Sequence, residues 1–228
     1  AGNYVVTVID NNNCSTTLSV TITEPAPLNL STTQVNVVCN GNSTGSIDLT
    51  VSGGTGPYSY NWNTGAFNTQ DISNIPAGVY SVVVTDSKGC SANTSVTITE
   101  PTAIVLSTTQ SNVKCNGGND GSIDLSVSGG AGGYTYLWSN GATSEDLSSL
   151  VAGNYTVSVT DASGCTASTS VTITEPTVLS LSTTSVNVDC NGNSTGSIDL
   201  TVSGGAGAYS YLWSNGATSE DPSNLPVG

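Results

Sequence analysis

Carboxylates are the side chains of this sequence most suited to chemistry, and they recur at matching positions along the chain. Sixteen Asp and Glu residues stand against two Lys, and the chain contains no His. Two of the recurring sets are of interest here: Glu24, Glu100 and Glu175 precede a proline, and Asp10, Asp86 and Asp161 open a turn. Paired catalytic carboxylates need a base or a nucleophile beside them, and neither accompanies these acids. An enzyme is therefore not expected.

The same acids are candidate calcium ligands where one repeat meets the next. Ca²⁺ takes about six to eight oxygen ligands, backbone carbonyls included. If consecutive modules lie in line, Glu24 is expected to approach Asp86, and Glu100 to approach Asp161. Against this, the chain has no DxDxDG-type loop, and single acids at turns usually cap backbone amides. Calcium at the junctions is one expectation, and no other cofactor is expected.

Six cysteines form a second recurring set, two in each repeat. Cys39, Cys115 and Cys190 follow the first predicted strand, and Cys14, Cys90 and Cys165 lie in the turn before the last one. Their even number and fixed spacing are typical of disulfides in an oxidising compartment. Zinc is not expected, because the chain has neither His nor a CxxC pair.

Three disulfide pairings are open. Cys39 could pair with Cys90 of its own module, or with Cys165 of the next module as a staple between neighbours. A linker that folds back would instead pair Cys14 with Cys39, and Cys90 with Cys115. In a sandwich of the immunoglobulin order, the first turn and the last hairpin lie roughly 20–25 Å apart. That distance exceeds the Cα separation of about 7 Å that a disulfide allows.

These residues sit in a sequence that repeats about every 76 positions. Asn40–Gly54 recurs letter for letter as Asn191–Gly205, and Asn116–Gly130 is a close variant. A period of this length marks an array of stacked modules. We predict the C-terminal part of a first repeat (1–25), two complete repeats (26–101 and 102–176) and the N-terminal part of a fourth (177–228). Either the chain is a window cut from a longer one, which we favour, or consecutive copies complete each other.

Within one module the apolar residues alternate with polar ones, as in half-buried strands. The predicted strands are Leu28–Cys39, Ile47–Val51, Tyr58–Trp62, Val79–Asp86 and Thr94–Glu100, with a weaker one near Ile72 and Ile75. No helical periodicity is evident. Six or seven short strands in each module predict an all-β sandwich.

Tryptophan occurs once in each module that contains the third strand, as Trp62, Trp138 and Trp213. A tryptophan at this place is typical of a sandwich core. The alternative is an exposed aromatic platform that stacks on sugar rings. Because Tyr58 and Tyr60 share the face of Trp62 by alternation, we predict that this face is inward and that the three tryptophans are core residues.

The composition excludes several partners. The formal net charge is −14, so the basic surface that nucleic acids require is lacking. Attraction to anionic lipid headgroups is excluded for the same reason. No run of apolar residues is long enough to cross a bilayer, so membrane insertion of this segment is not expected.

The order of motifs resembles the SprB-type repeat of giant cell-surface adhesins of gliding Bacteroidetes. The motifs are C-x-G-x-x-x-G-S-I, V-S-G-G, Y-x-Y-x-W-x-x-G, A-G-x-Y-x-V-x-V-T-D-x-x-G-C and T-I-T-E-P, and the resemblance covers essentially all 228 residues. It implies an immunoglobulin-like or PKD-like sandwich, export by the type IX route, an extracellular cell-surface location and a role in attachment or gliding.

From the repeat and the resemblance together we expect a structural shaft segment of a secreted adhesin or filament. Its expected partners are neighbouring repeats or like chains, and extracellular surfaces or polysaccharides. Two alternatives stay open. One is a set of carbohydrate-binding accessory modules of a polysaccharide-active protein. The other is a fibre subunit whose split end modules complete each other.

Overall fold

The computed structural model describes residues 1–227. The regular secondary structure of these residues consists of β-strands. The chain divides into two compact units, residues 1–103 and 104–228. The first unit contains β1 (Gly2–Ile9), β2 (Ser15–Ile22), β3 (Asn29–Val35), β4 (Gly45–Ser52), β5 (Ser59–Trp62), β6 (Ile72–Ile75), β7 (Gly78–Thr85) and β8 (Ser91–Ile98). The second contains β9 (Val105–Ser111), β10 (Gly121–Ser128), β11 (Thr135–Trp138), β12 (Leu147–Leu150), β13 (Gly153–Thr160), β14 (Thr166–Ile173), β15 (Thr177–Val186) and β16 (Ser197–Gly205).

The second repeat is a complete sandwich of two three-stranded antiparallel sheets. One sheet has the order β3-β4-β6 and the other the order β5-β7-β8. These strands take the places of strands A, B and E, and of strands C, F and G, in an immunoglobulin domain. The third repeat has the same arrangement, with sheets β9-β10-β12 and β11-β13-β14. The all-β, immunoglobulin-like sandwich is thus present in both complete repeats.

Period-two alternation explains why each sheet buries one face. In β4, Ile47 and Leu49 are buried and Asp48 between them is exposed. In β7, Val82 and Val84 are buried in the same way. The alternating side chains of both sheets meet in one core per complete module.

The first strand ends earlier than the sequence predicts. β3 stops at Val35 instead of continuing to Cys39. Beyond it the Val37 amide donates to the Thr99 carbonyl at 2.9 Å, and the Asn36 side chain accepts from the Thr99 amide at 3.0 Å. The chain therefore leaves the partner β4 and joins the end of the last strand, so Val37 is buried although it lies outside β3.

Residues at both ends of the chain form partial modules. β1 and β2 pair as an isolated hairpin, in register from Gly2↔Ile22 to Ile9↔Ser15. β15 and β16 pair as another two-stranded sheet. The predicted repeat boundaries after residues 25, 101 and 176 fall between β2 and β3, between β8 and β9, and between β14 and β15.

In residues 1–227 there is no helix long and apolar enough to cross a membrane.

Candidate functional site

The tryptophan of each complete module lies between the two sheets. Trp62 and Trp138 are 1% and 2% exposed. The indole nitrogen of Trp62 donates to the Thr69 carbonyl at 3.0 Å, and that of Trp138 donates to the Ser144 carbonyl at 2.9 Å. Each ring is therefore buried with its one polar atom satisfied, as a core tryptophan requires. Neither ring is available as a platform for sugars.

Trp213 differs from the other two tryptophans in its exposure, and its core position stays a prediction. It is only half-buried, although its indole makes the matching hydrogen bond to the Ser219 carbonyl at 2.9 Å. In the complete modules the strands β7 and β8, or β13 and β14, cover this ring. Residues 177–227 contain no strands at the corresponding places, so the ring faces an open groove.

A tyrosine at the start of β7 or β13 locks the connection that precedes it. The Tyr80 hydroxyl donates to the Pro76 carbonyl at 3.0 Å, and the Tyr155 hydroxyl donates to the Val151 carbonyl at 3.1 Å. A hydrogen bond of this kind, from a tyrosine near the start of strand F to the backbone a few residues upstream, is the tyrosine corner of immunoglobulin-like sandwiches. The motif A-G-x-Y carries the signal for this corner in the sequence, but the corner is not among the predictions above.

Asp86 and Asp161 are buried carboxylates that organise one end of each sandwich. Asp86 accepts hydrogen bonds from the amides of Thr55, Lys88 and Cys90, each at 2.9 Å. The Thr55 amide is the largest cause that lowers the pKa of Asp86 below its ordinary value, and burial opposes it. Asp86 thus ties the turn after β7 to the loop after β4.

Asp161 repeats this arrangement in the third module. It accepts from the amides of Ala131, Ser163 and Cys165, each at 2.9 Å, and the Ala131 amide is the largest cause that lowers its pKa. A carboxylate that accepts several amide bonds favours its charged form. The recorded partners of both aspartates are backbone amides of their own modules.

Glu100 and Glu175 act at the opposite end of the sandwich. The Gly41 amide donates to Glu100 at 2.7 Å, and the Gly117 amide donates to Glu175 at 2.6 Å. The side-chain amide of Asn40 adds a bond to the Pro101 carbonyl at 3.0 Å. The Glu-Pro segment that leaves a module is therefore fastened to the first turn of that same module, a contact that is not among the predictions above.

Glu24, the corresponding residue of the first repeat, has a different partner. Its carboxylate lies 3.9 Å from the N-terminal ammonium group. Residues 1–227 contain no group of three or more His, Cys, Asp or Glu side chains placed to hold a metal ion. Calcium bound by Glu24 with Asp86, or by Glu100 with Asp161, stays a prediction.

The cysteines fall into two states. Cys39 and Cys165 are disulfide-bonded. Free and exposed thiols are carried by Cys14, Cys90, Cys115 and Cys190. Because Cys90 is free, the pair Cys39–Cys90 within the second module is not formed. The free thiols of Cys14 and Cys115 likewise exclude both fold-back pairs. A pair between Cys39 and Cys165 stays a prediction.

The geometry of the second module explains why Cys39 and Cys90 do not meet. Cys39 precedes the turn that Glu100 holds, at the C-terminal end of β8. Cys90 lies directly before the N-terminal end of the same strand. Eight residues of strand separate the two ends by about 25 Å, far beyond the reach of a disulfide.

Comparison with solved structures finds a distant likeness. The eight N-terminal Ig domains of Down Syndrome Cell Adhesion Molecule isoform 1.30.30 align with 90% of this chain, at 12% identity and a TM-score of 0.38. The aligned part is 34% of that chain, so this chain spans about a third of its length. No curated protein matches the sequence significantly.

A protein family does match, three times and in register with the modules. The SprB repeat family matches residues 31–67, 107–143 and 182–218. Each match begins in the first strand of a module and ends beyond its tryptophan. The first match spans β3 to β5, the second spans β9 to β11, and the third runs from β15 past Trp213. The repeat is a structural type of module and not an enzyme family. The chain therefore contains three SprB repeats in tandem, as the resemblance predicted.

Proposed function

We propose that this chain is a segment of the shaft of a secreted, repetitive cell-surface adhesin that serves attachment or gliding. The observation that carries the proposal is the recurrence of one module, with the same buried core, in both complete repeats. A catalytic centre is needed once, whereas a spacer is built by repeating a stable unit. Membership of the SprB repeats supports the adhesin type, and export by the type IX route belongs to the same proposal.

The disulfide chemistry supports an extracellular location. A disulfide persists in oxidising surroundings, outside the cytosol. Two cysteines of this chain are disulfide-bonded, and the net charge of −14 keeps such modules soluble and mutually repelling. In this proposal the neighbouring partners are further repeats, and the distant partner is an extracellular surface or a polysaccharide.

The structure favours a spacer over a carbohydrate-binding module. A sugar platform needs an exposed aromatic face, and the indoles of Trp62 and Trp138 are enclosed. On β4 and β10 the residues between the buried ones are exposed and polar, such as Asp48 and Asp124. A shaft that spaces, and does not itself bind sugars, is therefore the proposal.

Antibodies against the 228-residue chain test this function on intact cells of the organism that encodes it. We expect labelling without permeabilisation, loss of the label after brief protease treatment, and no binding of the purified chain to a glycan array. Label found only after permeabilisation would overturn the surface location. Specific glycan binding by the purified chain would transfer the proposal to the carbohydrate-binding alternative.

A further inference from the structure

The segment that leaves each complete module is hydrogen-bonded to the segment that follows its first strand. In the second module the Val37 amide donates to the Thr99 carbonyl at 2.9 Å, and the Thr99 amide donates to the Asn36 side chain at 3.0 Å. These bonds belong to a set that joins residues 36–41 to residues 99–101. We call this pair of segments, with the bonds between them, the exit clamp.

Two further bonds of the exit clamp lie just beyond the first two. The Gly41 amide donates to the Glu100 carboxylate at 2.7 Å. The Asn40 side chain donates to the Pro101 carbonyl at 3.0 Å. The clamp therefore continues past the end of the last strand and holds the chain where it leaves the module.

The third module has the same clamp, between residues 112–117 and residues 174–176. Its bonds correspond one to one with those of the second module: Val113 amide to Thr174 carbonyl, Thr174 amide to Asn112 side chain, Gly117 amide to Glu175 carboxylate, and Asn116 side chain to Pro176 carbonyl. The exit clamp is therefore a property of the complete module.

The two strands that lead into the clamp run parallel. Asn29, at the start of β3, pairs with Ser52 at the end of β4. The loop after β4 is held to Asp86 by the Thr55 amide, and Asp86 opens the turn that leads into β8. Both β3 and β8 therefore start at the Asp86 end of the sandwich, and both end at the exit clamp.

This arrangement decides how tension acts on a module. Tension along a shaft enters a complete repeat before β3 and leaves it after β8, so it pulls two parallel strands in opposite directions along their axis. The strand β3 belongs to the sheet β3-β4-β6, and β8 belongs to the sheet β5-β7-β8. The bonds of the clamp join these two strands and are loaded side by side, so they must break together. A hairpin pulled apart at its open end loses one bond at a time.

The hydrophobic core lies directly beneath the clamp. Val37, within the clamp, is 4% exposed, and Ile98, at its edge, is 1% exposed. Both belong to the core of the second module. Sliding the two segments apart therefore also draws a buried valine towards water, which adds to the resistance of the hydrogen bonds.

We propose that the exit clamp is the element that carries tension in each complete repeat, and that its rupture sets the lifetime of the folded module under force. The proposal rests on the shaft function and deepens it, because it assigns the resistance of the shaft to named residues. Forced unfolding is governed by the unfolding rate. Bonds that are still intact when the clamp breaks contribute to stability but not to that rate.

Constant-force stretching of the reduced 228-residue chain measures the lifetime of each folded module. Reduction ensures that no covalent bond at Cys39, which is disulfide-bonded and lies in the clamp, carries the load. Asn36→Ala combined with Glu100→Ala removes two bonds of the clamp in the second module. We expect one of the two modules to lose about 20-fold or more of its lifetime under force. The third module is the reference within the same molecule.

Asn63→Ala is the matched control, because it also removes two bonds of an exposed side chain in the second module. The Asn63 side chain donates to the Val79 carbonyl at 3.1 Å and accepts from the Ser81 amide at 3.2 Å. These bonds lie outside the clamp. Urea denaturation should show that Asn63→Ala also lowers the free energy of unfolding. Its lifetime under force should change by less than about 2-fold.

The third module provides a second, independent variant. Asn112→Ala combined with Glu175→Ala removes the corresponding two bonds there and should shorten one lifetime in the same way. All four substitutions together should shorten both lifetimes. Two unfolding steps of wild-type length show that the modules of each variant are folded.

Two outcomes would overturn the proposal. One is a wild-type lifetime in both clamp variants. The other is an equal loss of lifetime in Asn63→Ala and in the clamp variant of the same module, since the clamp would then be no more important under force than any other set of bonds. Failure of the shaft function has a different sign, because surface labelling would be lost while these lifetimes stayed as expected.

Discussion

Two adjacent residues of β11 show how strongly position within a strand decides the role of a side chain. Trp138 is buried in the core of the third module, whereas Leu137 is 59% exposed on the other face. The indole also satisfies its one donor on the Ser144 carbonyl. The tryptophan therefore contributes to stability through both packing and a hydrogen bond, and the leucine contributes little.

Changing Trp138 to Ala should destabilise the third module by about 3–5 kcal/mol, the range for large aromatic residues removed from a core. Changing Leu137 to Ala is the matched control and should cost less than about 0.5 kcal/mol. Urea denaturation followed by circular dichroism measures both. Equal costs for the two variants would show that the ring is not a core residue.

Asp161 makes the stability of the third module dependent on pH. Its pKa is lowered from 3.8 by the amide of Ala131 and by the amides of Cys165 and Ser163. A carboxyl group whose folded pKa lies below its unfolded pKa stabilises the fold above the unfolded value. That stability is lost as the pH falls from about 3.8 through the lower folded pKa.

Thermal denaturation between pH 7 and pH 2 measures this dependence. We expect the melting temperature to fall below about pH 4, and Asp161→Asn to lower it at pH 7 and to weaken the fall. Asp124→Asn, which changes an exposed carboxylate on β10, should keep the wild-type profile. An Asp161→Asn profile that matches the wild type would contradict the role given to this carboxylate.

At the scale of elements, the turn after β4 depends on a glycine for space as well as for conformation. Gly53 has a φ of +76°, and a Cβ there would lie 2.0 Å from the Pro27 carbonyl oxygen. Gly41 has the same φ of +76° but open space around its Cβ position. Substituting each glycine therefore separates the energetic cost of backbone strain from the cost of steric overlap.

Gly41→Ala should cost about 1–2 kcal/mol, the strain of a left-handed conformation. Gly53→Ala carries the same strain and must also displace the strand entry at Pro27, which should add roughly 1–3 kcal/mol. Chemical denaturation of both variants gives the comparison. If Gly41→Ala were as costly as Gly53→Ala, the close approach at Pro27 would not be the cause.

Local patterns predicted the strands well and missed the contacts that join distant segments. Alternation identified β4, β5, β7 and β8, and it indicated the short strand near Ile72 and Ile75. It did not predict that β3 ends at Val35, because the Val37 amide turns to Thr99, over sixty residues further along the chain. Period-two patterning reports which face is buried and not which strand is the partner.

The same limit applies to the candidate sites. The sequence indicates that an acid at a turn, such as Asp86, caps nearby amides, and Asp86 does accept from Lys88 and Cys90. It does not indicate the distant donors, which are the Thr55 amide for Asp86 and the Gly41 amide for Glu100. Cysteine spacing likewise indicated disulfide chemistry without selecting a pairing, since six cysteines allow many connectivities.

At the scale of the whole molecule, the predicted disulfide pairing can be tested directly by chemistry. Cys39 and Cys165 are disulfide-bonded, and Cys90 is free. We expect non-reducing proteolysis with mass spectrometry to yield a peptide that joins Cys39 to Cys165. A peptide joining Cys39 to Cys90 would contradict the prediction, and alkylation before digestion should label the four free thiols.

The shaft proposal needs each complete repeat to be a self-supporting unit under tension. Each has its own two sheets and its own core, over residues 29–98 and 105–173. Such units should resist force separately and unfold one at a time. The hairpin β1–β2 has no core of its own in this chain and should open at low force.

Single-molecule stretching of the reduced 228-residue chain, held at its two ends, tests most directly whether each complete repeat is an independent folded unit. We predict two abrupt unfolding events, each lengthening the chain by roughly 200 Å, since an extended residue spans about 3.3–3.6 Å. One event of about twice that length, or a gradual extension without distinct steps, would show that the repeats are not independent folded modules.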